Sequence, residues 1–215
     1  MPRAATSVTR QAIAAISSGP CVQLLKPVGF KRVAPNFWRE ADGIFQGVNF
    51  QASQWGTREK GSFTINLGVT SSSLYTSFTG RALPKNPASL MWPINRRIGS
   101  LMPSRCDLWW DVEERTDVDV LGREVVSKLA EFAMPFLDSI RTISQLNTIM
   151  LNEPSMTGLT EAQALLVSAT LAAQVGDTAS ARRKLDEALR RYKGKPFEAT
   201  VQQTISTLAP LLHDA

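Results

Sequence analysis

Three uncharged amides, Asn49, Gln51 and Asn66, sit in the stretches "IFQGVNFQAS" and "SFTINLGVT", where they alternate with apolar residues. Each amide offers two N–H donors and a carbonyl acceptor, so a row of them can hold a ligand, a partner's backbone or one another. Asparagine is a poor strand former, and a merely solvated strand face more often carries Thr, Lys or Glu. The row therefore suits a partly covered polar surface. Trp55, Arg96, Arg97, Arg105 and Trp109 are the candidates for its rim, because aromatic and arginine side chains are enriched where binding energy concentrates. Two uses stay open: the amides line a ligand or partner site, or they anchor a crossing loop through internal hydrogen bonds.

Other chemistries find less support. The single histidine, His213, leaves no Ser-His-Asp triad, Cys-His pair or multi-histidine metal site. Asp107, Asp111, Glu113 and Glu114 form no calcium-loop pattern, so they are expected to pair with basic residues and to hold no metal. Neither GxxxxGK[ST] nor GxGxxG occurs between a strand and a helix. No cofactor is expected, and catalysis by carboxylates or arginines is left formally open.

The amides must be positioned by strands. "NFWRE", an Asp42-Gly43 turn, "IFQGVNFQAS" and "SFTINLGVT" read as three antiparallel strands, apolar on one face, with Gln46 departing from that face. Placing Phe50 with Phe63 and Ile65 requires paired residue numbers to sum to an odd value, near 115 or 117. Either register makes the amides cross-strand neighbours. "RCDLWWDVEE" reads as a fourth strand near an edge, with "RRIGSLMP" as a short helix whose Gly99 permits close packing. Residues 71–95 read as a stretch crossing the surface.

Helices are expected on either side of these strands. "SVTRQAIAAISS" is helical in spacing, and Pro20 is expected to begin a second helix capped by Ser18. From Asp119 the pattern is helical, with Pro135 as a kink or break. Asn152 to Gly158 reads as a linker. Beyond it Thr160 with Gln163 marks a helix start, Gly176-Asp177 a turn and Thr178 a second cap, giving a helical hairpin and a closing helix. The chain is thus read as α+β. Residues 1–151 form an antiparallel sheet of about four to five strands packed on helices, and residues 159–213 an all-helical segment packed on them.

Charge is segregated along the chain. Residues 1–105 hold 13 Lys and Arg against three acids, a net of +10, whereas residues 106–215 carry −5. Such a layout draws the halves together or presents a positive field to an anionic partner. Nucleic acid is the less favoured such partner, because no basic helix, zinc knuckle or RNP-like aromatic string occurs. Cys21 and Cys106 lie far apart without a CxxC and are expected to be reduced, buried thiols. No apolar run approaches the ~18 residues of a membrane span, and a cytoplasmic protein is expected.

Taken in order, "LLKPVGFKR", "FWRE", "VNFQASQWG", "FTINLGV", "RRIGSLMP" and "DLWWDV" resemble the bacterial domain of unknown function family 4304 over about residues 20–140. The resemblance implies an α+β domain with an antiparallel sheet and no assigned activity or site residues. The C-terminal hairpin resembles a single tetratricopeptide repeat, with Ala169, Ala172, Ala181 and Ala188 as its small packing residues, although the usual aromatics are missing. The expected function is non-enzymatic recognition of a protein or anionic partner through the polar sheet face or the basic half. A small-ligand binder or enzyme working in a cleft is the alternative, and nucleic-acid binding the second one.

Overall fold

Alternation of Phe63, Ile65, Leu67 and Val69, each wholly buried, makes Lys60–Ser71 the longest strand (β4) of a six-stranded antiparallel sheet. The computed structural model describes residues 7–85, 94–152 and 159–213. The sheet runs β1 (Lys31–Val33), β2 (Asn36–Ala41), β3 (Ile44–Ala52), β4, β5 (Ile94–Arg97). A sixth strand, β6 (Trp110–Glu113), pairs with Lys60–Phe63 of β4, while β5 pairs with Asn66–Val69 of the same strand. The two short strands therefore share one edge of β4, and the opposite edge is taken by β3.

Of the two registers compatible with burying Phe50, the strands adopt the one summing to 115: Asn49 lies opposite Asn66, Phe50 opposite Ile65 and Gln51 opposite Thr64. Asp42 and Gly43 turn the β2–β3 hairpin, both at positive φ. Phe50, Phe63 and Trp110 follow one another on the apolar face, Phe63 tilted against Phe50 and stacked on Trp110, with ring centroids 6.1 and 5.3 Å apart.

That face is covered by α1 (Val8–Ser18), α2 (Pro20–Leu25), α4 (Val118–Lys128), α5 (Met134–Asp138) and α6 (Ile143–Asn152). Between α4 and α5 the chain widens into a π-helical turn, Leu129–Ala133. Pro135 lacks an N–H and its ring crowds the carbonyl four residues back, so the wider turn lets the helix continue through it. The helical hairpin is α7 (Glu161–Gln174) and α8 (Thr178–Tyr192), followed by α9 (Glu198–His213). α7 is buried on two sides: Val167 and Leu171 join the sheet's core, while Leu166, Ala169 and Ala172 pack with Ala181, Leu185, Ala188 and Val201. α3 (Ser72–Thr79) meets both α7 and α9, and Thr204 Oγ1 donates to the Ser77 carbonyl at 3.3 Å.

Several sequence expectations are corrected. β1 precedes the first expected strand. Residues 71–95 are not a plain crossing: they contain α3, capped by Ser71 accepting from the Leu74 amide, and the start of β5, with residues 86–93 outside the described ones. Residues 106–109 are irregular, and only Trp110–Glu113 is strand. α2 starts after Gly19 without a side-chain cap from Ser18, and α8 is capped by Asp177, whose carboxylate accepts from the Ser180 amide, rather than by Thr178. Cys21 is buried as expected but Cys106 is exposed. Of the expected linker, Asn152 ends α6 and 153–158 lie outside the described residues. Thr160 and Gln163 do form a full capping box. Among the described residues no helix is long and apolar enough to cross a membrane.

Candidate functional site

The β3–β4 register brings the amides together. Asn66 Nδ2 donates to Gln51 Oε1 at 2.7 Å, diagonally across the ladder, and to Asn49 Oδ1 at 3.3 Å directly opposite. Asn66 is therefore spent inward as a bridge between the other two. The amide N–H groups of Asn49 and Gln51 make no hydrogen bond to a described residue, and Gln51 is exposed. The row is both an internal network and a source of outward donors.

β5 supplies the next column. Arg97 lies opposite Asn66 and so shares its face of the sheet. Its guanidinium pairs with Asp107 and stacks over Trp109, 5.1 Å from the ring centroid. Trp109 Nε1 donates to the same Asp107 oxygen at 2.9 Å. One carboxylate thus clamps an arginine and a tryptophan in a stacked pair. The loop bearing Asp107 and Trp109 can lie here because Ile98–Leu101 forms a 3-10 turn with glycine at 99. A Cβ on Gly99 would stand 2.5 Å from the Leu108 nitrogen and closer still to the Cys106 carbonyl oxygen.

Trp55, in the loop joining β3 to β4, is 87% exposed, the most exposed of the large apolar side chains among the described residues. It stands between two open clefts that share Ser53, Trp55 and Ser62. One, of about 570 Å³, is walled by Gln51, Arg97 and Trp109; the other, of about 520 Å³, by Lys60, Asp111 and Glu113. Asn49 and Asn66 lie outside the wall of either.

Arg96 and Arg105 do not join this rim. Arg96 is opposite Leu67, which puts it on the apolar side of the sheet. Partial burial lowers its pKa from the ordinary arginine value, and the nearby charge of Arg105 lowers it further. The eight candidate residues thus divide into a bridged amide row, a Trp55–Gln51–Arg97–Trp109 cleft and a separate arginine pair.

Sequence reasoning missed a second aromatic column on the amide-bearing face. Lys31 Nζ lies 5.0 Å from the Trp38 centroid, and Trp38 stacks on Phe45 with centroids 6.1 Å apart. Its signal was present, since Trp38 alternates with the buried Phe37, but Trp38 is itself only 7% exposed. Gln46, the break in the apolar pattern, is wholly buried; Arg39 Nε donates to its Oε1 at 2.7 Å, and its Nε2 donates to the carbonyls of Leu137 and Ile140. Arg39 in turn pairs with Asp138 and donates to the Val28 carbonyl. This network ties the sheet to the end of α5. No group of His, Cys, Asp and Glu among the described residues is arranged to hold a metal ion.

The family model described as Domain of unknown function (DUF4304) matches residues 21–139. That span runs from α2 to the end of α5 and contains the sheet, the amide row and the cleft. No curated protein and no solved structure matches the chain.

Proposed function

Since the chain belongs to the DUF4304 family of domains of unknown function, whose description assigns no chemistry, we propose from the site itself that it is a non-enzymatic binding module for a protein partner. The observation that carries this reading is Trp55, 87% exposed beside a cleft whose far wall is the stacked Arg97–Trp109 pair. A tryptophan left in water forgoes the gain of burying its large apolar surface, roughly 25 cal/mol per Å². Trp and Arg are also the side chains that dominate interface energetics. The outward N–H groups of Asn49 and Gln51 add donors that a partner's backbone carbonyls can meet.

A small ligand in the same cleft is the second reading, favoured by its volume of about 570 Å³, which lies in the usual range for small-molecule sites. The α7–α8 hairpin fits a supporting role as one tetratricopeptide-like unit, closed by α9 rather than repeated. A reducing compartment such as the cytoplasm suits an exposed free thiol at Cys106.

The test compares capture from the native host by the wild-type chain, Trp55→Ala and Trp109→Ala. The reading expects one protein bound stoichiometrically by the wild type and lost by both variants, with the thermal midpoint of Trp55→Ala unchanged. Retention of that protein by both variants would remove the cleft from the account. Retention of a small molecule in its place, identified by mass spectrometry of the purified wild type and absent from the variants, would favour the second reading.

A further inference from the structure

A separate cavity opens on the helix side of the sheet, where α1 crosses the β1–β2 corner. It is as open as the two clefts, holds about 340 Å³ and is largely apolar: Ile13 of α1, Pro35 of the β1–β2 turn, and Phe50 and Ala52 of β3 line it. Phe50 and Gln51 project from opposite faces of β3, so this cavity and the Trp55 cleft are distinct. The charged residues along its wall are Arg10 and Arg32. Both arginines are exposed, and neither forms an ion pair with a described residue. Arg32 is steadied by donating to Ser17 Oγ at 3.4 Å.

Each feature restricts the occupant. Apolar walls reject a sugar or a nucleotide, whose many hydroxyl and phosphate groups would lose their hydrogen bonds to water without replacement. Two cations without a partner acid favour a single anionic head, and guanidinium matches a carboxylate in geometry as well as charge. No Asp or Glu stands among the residues that line the cavity. We infer that the cavity between α1 and the β1–β2 corner binds a small carboxylate with an apolar tail, its head held by Arg10 and Arg32 and its tail against Ile13 and Phe50.

Calorimetry of the whole chain tests this with octanoate, octan-1-ol and acetate, which separate the tail from the charge. Octanoate is expected to bind, with octan-1-ol and acetate each at least tenfold weaker. Arg10→Gln and Arg32→Gln, changes at exposed positions, are each expected to weaken octanoate at least fivefold while leaving the thermal midpoint in place. Chemical shifts of Ile13 and Phe50 on octanoate addition supply the location, with the Trp109 indole unmoved. Equal affinity for octan-1-ol, unchanged affinity in the double arginine variant, or absence of octanoate binding would each overturn the proposal. None of these outcomes bears on partner capture through Trp55.

Discussion

Cys21 lies wholly buried in the main core, and burial pushes its thiol from the ordinary 9.0 up to about 12. In the unfolded chain the thiol ionises near its ordinary value, whereas in the folded chain it stays protonated until about 12, so folding retains a proton between the two. The contribution to stability is intact below the unfolded value and is lost as the pH rises through this window. Denaturant unfolding of the wild type and Cys21→Ala should therefore show their stability difference shifting by about 2 kcal/mol, against the wild type, between about pH 8.5 and 10.5. A difference that does not change with pH would contradict it. Single residues were unequally legible beforehand. The break at Gln46 was plain from alternation, yet its partners Arg39, Leu137 and Ile140 include two that lie about ninety residues away, beyond any local pattern. Likewise the shared face of Asn49, Gln51 and Asn66 followed from the alternation. That Asn66 bridges the other two required side-chain geometry.

Elements with a strong period were readable, and those shaped by tertiary contacts were not. β2, β3 and β4 followed from alternation, with the 115 register among the two it allowed. β1 spans three exposed residues and carries no burial alternation, so only its pairing with β2 marks it as strand. The 106–109 segment alternates like a strand but is held irregular, carrying Asp107 and Trp109 to Arg97 while the chain packs on the 3-10 turn at Gly99. The glycine was legible as a close-packing position; what packs on it was not. Gly99→Ala should destabilise the fold by about 2 kcal/mol through overpacking against that loop. It should also shift the Trp109 indole N–H resonance, because the Asp107 bond that holds it is displaced. Unchanged stability together with an unmoved indole resonance would show that the loop does not depend on this contact.

At the scale of the whole molecule, charge segregation serves folding in part. Arg39–Asp138 and Arg97–Asp107 each join the basic half to the acidic one, and α7 is shared between two apolar clusters, tying the helical segment to the sheet. The helices cover one face of the sheet; the other carries the amides, the Arg97–Trp109 stack and, at the β3–β4 loop, the exposed Trp55. The proposed function makes this second face the one on which a partner docks. A photoreactive p-benzoylphenylalanine placed at position 55 and irradiated in the native host tests it most directly, with the same group at position 120 as control, since Val120 is 51% exposed on α4. A discrete cross-linked protein from position 55 and none from position 120 is the predicted result. Equal cross-linking from both positions, or none from position 55, would contradict the account.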